Sequence, residues 1–367
     1  MGALLVQAEL IKLSRLLGVA ERDLGYLAAE SVADLRSLRA SIGASMYDED
    51  RMLFGKLVAA TKLLPTAIVA AIAEKVMGPM ICARVAGLLD PDQVVDVAKR
   101  LTIPFLADVC LQLDPRSAAP TLKKMPLAVV TAVSAELLRR REYLTMGRFV
   151  EVITDEAVRA VAKAMPDVAA LHVGYFVESP QRVTELVGLF DDRRIQGIIG
   201  AAVSDPEQLW PEALSLMEQV DAASRERLAL LGLASDEQVL ASLLRTVNGQ
   251  QLHEPLLAIL RTLKPAVLER VGRFPMLSDI QLIGPVFAAA LRGKALGYLL
   301  PLAGVLTEPT RQELAALLAQ QPASTMQATV LHFSEAPFAE RLRKDWAQVR
   351  PLFPKTWLPA LKSAGFQ

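Results

Sequence analysis

The sequence predicts an all-α protein, an α-solenoid or superhelix of short stacked helices with room to curl around an apolar cavity. Three observations carry that expectation. Apolar side chains make up 52% of the 367 residues while aromatics are only 5%, so the excess lies in alanine, leucine and valine. These are residues of helices and cores, and little in the chain alternates with the period of two that a half-buried strand requires. Helix punctuation recurs: Asp90-Pro91, Asp114-Pro115, Ser179-Pro180 and Asp205-Pro206 each set an N-cap oxygen before a first-turn proline. Ser235 with Gln238 adds the pattern of a capping box. Helices of about 10–12 residues between such signals are marginal alone and need neighbours.

Self-similarity is the third observation. A shift of 64 residues carries Val94 onto Val158, Val97 onto Val161, Ala98 onto Ala162, Lys99 onto Lys163, Leu101 onto Met165, Val109 onto Val173 and Leu122 onto Leu186. A further copy starts near Ser235, where Glu237 and Val239 match Glu156 and Val158. Repeated short capped helices are the signature of a helical array. The expected organisation is an N-terminal helical cap over 1–62, a repeat superhelix over 63–320 with copies near 91–152, 155–217 and 235–306, and a C-terminal cap or lid over 321–367.

Taken in order, the first 50 residues read as one or two amphipathic helices, with Leu10, Leu13, Leu17 and Leu24 at helical spacing and an acidic turn at Asp48-Glu49-Asp50. The most apolar stretch, Ile283 to Leu306, contains Arg292 and Lys294 near its middle. Each costs about 2.5–3.5 kcal/mol on membrane insertion, so the stretch reads as two short buried helices. Gly293 and Gly297 within it are spaced for close helix packing. The tail from Gln320 holds Phe333, Phe338, Trp346, Phe353, Trp357 and Phe366 among prolines. It suits an end cap, or a lid or membrane-interface anchor supported by Arg341, Arg343, Lys344 and Lys355.

Leu88-Leu89-Asp90-Pro91 and Leu111-Gln112-Leu113-Asp114-Pro115 resemble the cytosolic N-domain of MgtE-type magnesium transporters, and are similar to modules of the flagellar motor switch protein. The resemblance spans roughly Leu63 to Ala202 and implies a right-handed superhelix of short helices. Magnesium sensing does not follow, because the comparable stretch carries Lys99, Arg100, Lys123, Lys124 and Arg139-Arg140-Arg141.

Composition also excludes functions. Forty basic and forty acidic residues leave zero formal charge, and a pI near 6.9 lacks the basic excess of a nucleic-acid binder. Cys82 and Cys110 form no CxxC pair and read as thiols of a reduced, cytoplasmic protein, with a disulfide left open. No phosphate-cradling glycine loop, GxSxG elbow, HExxH helix or cysteine-rich cluster occurs, so neither an enzyme nor a cofactor is expected. The histidines, Leu171-His172, Leu252-His253 and Leu331-His332, recur at similar intervals, but equivalent repeat positions are displaced along a superhelix, so no metal site is expected.

One helical face combines apolar bodies with polar tips: His172, Tyr175 and Phe176 at i, i+3 and i+4. With Tyr143 and Trp210 they are the candidate ligand-binding residues for an apolar molecule with one polar end. Only 22% of residues are charged and mean hydropathy is +0.32, an apolar surplus that asks for an occupant. A lipid- or sterol-like ligand in a cavity is the leading expectation. A partner helix or second copy of the chain on the concave face is the alternative, and a magnesium-responsive domain the third.

Overall fold

The computed structural model describes residues 2–61, 64–204, 209–235 and 237–366. Among the described residues every regular element is helical, with 25 α-helices joined by short 3₁₀ and π turns. The chain divides by contact into two compact units, Met1–Leu189 and Phe190–Gln367. That division falls inside the expected copy 155–217.

The first unit opens with α1 (Ala3–Leu17), a 3₁₀ turn and the long α2 (Val32–Thr61). Leu10, Leu13, Leu24 and Leu35 make a small core of their own between these elements. Asp48-Glu49-Asp50 is no turn; the backbone there continues α2. Next come α3 (Thr66–Ile72), a π turn, α4 (Gly78–Ala86), α5 (Pro91–Ala98), α6 (Ile103–Gln112) and α7 (Ala119–Lys124). The unit closes with α8 (Leu127–Arg139), α9 (Tyr143–Val150), α10 (Asp155–Ala164), α11 (Asp167–Tyr175) and α12 (Pro180–Leu189). Its main core gathers Ala98, Leu106, Ala107, Val133, Leu137, Met146, Met165, Ala169 and Val173 from α5, α6, α8, α9, α11 and the turn before α11.

The caps explain where these helices start. Asp90 accepts the Asp92 amide at 3.0 Å, and the Ser179 hydroxyl accepts the Arg182 amide at 3.2 Å. Asp114 instead holds a turn, accepting the Arg116 amide, and α7 begins only at Ala119. Helix α10 is capped by Thr154, whose hydroxyl accepts the Ala157 amide. Asp90 and Thr154 thus keep the shift of 64 seen between residues 94 and 158. The Asp205-Pro206 signal lies outside the described residues.

The second unit runs α13 (Asp192–Ser204), α14 (Trp210–Gln219), α15 (Ala222–Ala234), α16 (Glu237–Gly249), α17 (His253–Leu260) and α18 (Pro265–Gly272). It continues with α19 (Ile280–Arg292), α20 (Leu296–Val305), α21 (Glu308–Ala319), α22 (Ala323–Phe333), α23 (Ala336–Lys344), α24 (Trp346–Val349) and α25 (Leu358–Ser363). The Ser235 hydroxyl donates to the Leu231 carbonyl at the end of α15. The apolar stretch Ile283–Leu306 is two well-buried helices, α19 and α20, separated at Gly293-Lys294-Ala295. A Cβ on Gly297 would lie 2.7 Å from the Phe338 ring, the close approach its spacing implied.

A local module recurs three times. Arg141, Gln251 and Lys294 alone among described non-glycine residues have positive φ, at 59°, 58° and 52°. Each sits two residues after a 13-residue helix (α8, α16, α19) and two before a shorter one (α9, α17, α20). The amide that follows each reaches back five residues: Glu142 to Leu137 and Leu252 to Val247 at 2.9 Å, Ala295 to Ala290 at 2.7 Å. This is a Schellman closure, which satisfies carbonyls left open at a helix end. In all three the next helix starts 14 residues beyond the left-handed residue, at Asp155, Pro265 and Glu308. The segment 235–306, expected as one copy, therefore holds the second module and the first two helices of the third.

Arginines close other helix ends. Arg182 donates to the Val150 and Ile153 carbonyls, Arg225 to those of Met217, Glu218 and Val220, and Arg311 to Gly304. A cation at a helix C-terminus meets both unpaired carbonyls and the negative end of the dipole. These three arginines are thereby committed to internal architecture. In the tail, Phe333, Phe353, Trp357 and Phe366 are buried, and Trp346 stacks on Phe353 and Phe366. The rings that a headgroup anchor requires face the interior of the unit.

Candidate functional site

The structure brings the sequence-predicted ligand residues together in two pairs, Tyr143 with His172 and Tyr175 with Phe176, and places Trp210 in the other unit. His172 stacks on Tyr143 with ring centroids 4.8 Å apart, tying α11 to the start of α9. Tyr175 is buried, and its hydroxyl donates to the Leu4 carbonyl on α1 at 2.8 Å. Phe176 packs edge-on to Tyr175 and covers Gly147, where a Cβ would approach both the Phe176 Cβ and the Val173 carbonyl to 2.7 Å. Trp210 belongs to the second unit, where its indole nitrogen donates to the Ser242 hydroxyl at 3.0 Å. Helical spacing placed His172, Tyr175 and Phe176 together; Tyr175 and Phe176 do touch, while His172 is engaged by Tyr143 from α9.

The other histidines have local partners. His253 Nε2 lies 3.1 Å from Asn248 Oδ1 across the Gln251 connector, and burial lowers its pKa. His332 Nδ1 lies 3.1 Å from Glu335. Among the described residues, no three His, Cys, Asp or Glu side chains converge as a metal centre would need. Cys82 and Cys110 are free thiols, and burial pushes them up to about 11 and about 12. Groups held so far from thiolate formation are poor nucleophiles.

The charged centre of the first unit was not legible in the sequence. Glu9 and Lys12 on α1 are buried, at 1% and 4% exposure, as is Glu178 after α11 at 8%. Lys12 Nζ lies 3.1 Å from Glu9 and 3.5 Å from Glu178. Arg39 on α2 bridges the same two carboxylates, at 3.2 Å and 2.8 Å. Arg36 adds a 3.0 Å contact to Glu9, and Arg116 a 2.6 Å contact to Glu178. Glu151 accepts the backbone amides of Glu178 and Ser179, which fixes the turn carrying Glu178.

Burial would raise the Glu178 carboxyl, but Lys12, Arg39 and Arg116 outweigh it and hold it down at about 2. Burial also dominates at Lys12, lowering its pKa against the opposing pull of Glu9 and Glu178. At Arg39 the same carboxylates prevail and raise it further. Chemically this arrangement is a lock, since each buried charge is matched and α1–α2 is pinned to the 114–116 turn and the residues after α11. The only sequence hint was Glu9 and Lys12 on the leucine side of α1, three residues apart.

A second feature missed by sequence lies at α3–α4. Thr66–Ala86 is a 21-residue helical stretch with an 18-residue window of mean hydropathy 1.5, long and apolar enough to cross a membrane by those measures alone. Unlike Ile283–Leu306, it sets large apolar side chains in solvent, with Ile68 at 47%, Val76 at 77% and Met80 at 61%, while Val69, Ala70, Ala73, Ala83 and Val85 are buried. Comparison with protein-family models, curated proteins and solved structures returns no match to the chain.

Proposed function

We propose that the chain is a non-enzymatic binding protein, a helical-repeat scaffold that offers helix faces to a protein partner. The observation that carries the reading is the module recurring at Arg141, Gln251 and Lys294 with identical internal spacing. Repetition of one local geometry is the usual means by which repeat proteins build a binding surface. The superhelical course implied by the resemblance to MgtE N-domains is part of this proposal. Sequestration of a hydrophobic molecule is less well supported, because Tyr143 and His172 stack on each other, Tyr175 and Phe176 pack together with the Tyr175 hydroxyl hydrogen-bonded to Leu4, and Trp210 is hydrogen-bonded to Ser242.

Native mass spectrometry of the full chain, purified without detergent, separates the two. The scaffold reading expects the bare chain mass, and a stoichiometric small-molecule adduct overturns it. A photo-crosslinking residue placed at exposed Leu331 on α22 supplies the positive arm. Discrete protein adducts formed in cells support the scaffold, and their absence from this and other exposed helix positions refutes it.

A further inference from the structure

We propose that the α3–α4 segment is a docking element for an anionic lipid surface, with an apolar knuckle at Val76–Met80 entering the interface and a basic collar meeting the headgroups. The inference begins with the backbone. The π turn Ala73–Met77 follows α3, and Gly78 with φ +76° breaks the helical path before Pro79. The 21-residue stretch is therefore two arms meeting at a bend, not the uninterrupted rod of about 20 residues that spans a bilayer. Val76 and Met80 flank the bend, and both project into solvent. Ile68, on the first arm, is also exposed.

What distinguishes this from a merely uncovered apolar face is the charge beside it. Lys75 immediately precedes Val76 and is exposed. The turn after α5 carries exposed Arg100 and exposed Lys99, the latter paired with Asp96 at 3.1 Å, and two contacts hold this turn against α3 and the residue before Lys75. Thr102 donates to Glu74, and Leu101 packs with Val69, Ala70 and Val97. Apolar side chains at the tip with lysine and arginine behind them match the two layers of a lipid interface: acyl chains take the first, anionic headgroups the second. A partner protein groove would satisfy the apolar tip without any need for the collar. The inference is independent of the scaffold role.

The test is cosedimentation of the full chain with phosphatidylcholine vesicles, with and without about a third phosphatidylserine. Binding is expected to the anionic vesicles and to weaken with added salt. Val76→Ser with Met80→Ser should reduce it by about tenfold or more, since each removes an apolar group from the layer. Lys75→Gln with Arg100→Gln should reduce it by about fivefold per charge. These positions are on the surface, so circular dichroism should be unchanged. Failure to bind anionic vesicles, or binding indifferent to the Val76 and Met80 changes, overturns the inference. So does light scattering that finds a dimer of the chain which those two changes dissociate, for then the knuckle faces a second copy.

Discussion

Replacing Glu178 with Gln removes the charge on which Lys12, Arg39 and Arg116 converge while keeping the shape and a hydrogen-bond acceptor. The sign follows from the carboxyl's pKa. Glu178 is held at about 2 against an unfolded value of about 4.3. A depressed acid stabilises the fold fully above its unfolded pKa, and the contribution fades as pH falls through the interval down to about 2. At 1.36 kcal/mol per unit, the ionised carboxylate contributes about 3 kcal/mol near neutral pH. Breaking a buried ion pair from one side costs about 3–5 kcal/mol, the same order. Hydrogen exchange of amides in α1 is the appropriate assay, because two units need not unfold together. E178Q should accelerate exchange of the most protected α1 amides by about a hundredfold at pH 7, equivalent to about 3 kcal/mol. In the unsubstituted protein the same amides, corrected for intrinsic rates, should keep their protection from pH 7 to pH 5 and lose it below about pH 4. Protection in E178Q within threefold of the parent would refute the lock.

Other positions give sharper tests of packing and backbone. Gly147→Ala and Gly272→Ala should each destabilise their unit by about 1–3 kcal/mol in urea titration, since the new methyl would meet backbone oxygens of Val173 at 2.7 Å and Leu302 at 2.6 Å. Lys294→Gly should raise stability by up to about 1 kcal/mol, because glycine relieves a left-handed conformation costing about 1–2 kcal/mol and loses part of the gain to chain entropy. Unchanged or lower stability would show that the lysine stem contributes packing that outweighs the strain. Cys82 and Cys110, raised to about 11 and about 12, should react with iodoacetamide at pH 8 more than a hundredfold slower than an ordinary thiol. Rapid labelling of the native protein would show that these thiols are not held protonated.

The fold class was legible because local signals agree with one another. Asp90 and Ser179 cap helices where an oxygen precedes a proline, and Arg292-Gly293-Lys294 marked the break between two buried helices. The strongest regularity escaped detection, because Arg141, Gln251 and Lys294 share a dihedral angle rather than a residue type. Glycine would have advertised such positions; long polar side chains do not. At the candidate site the sequence supplied spacing, and spacing fixes only which residues share a helical face. It places Tyr175 near His172, but the partners Leu4 and Tyr143 come from elsewhere in the chain. The Glu178 lock was hidden for the same reason, its cations lying at positions 12, 39 and 116. The apolar run Thr66–Ala86 went unread beside Ile283–Leu306, and it is packing that leaves Ile68, Val76 and Met80 exposed on the first while burying most of the second.

The anchoring of α1 has a consequence during synthesis. Leu4 must wait for Tyr175, 171 residues later, before the bond between them can form. At roughly 5–20 residues per second that delay is about 10–30 s. The cluster of Leu10, Leu13, Leu24 and Leu35 draws on no residue beyond Ile42, so it is a part of the first unit that has all its members out of the ribosome well before Tyr175. The charges that complete the docking stay hydrated in the meantime, which keeps the early segment soluble until the later helices emerge.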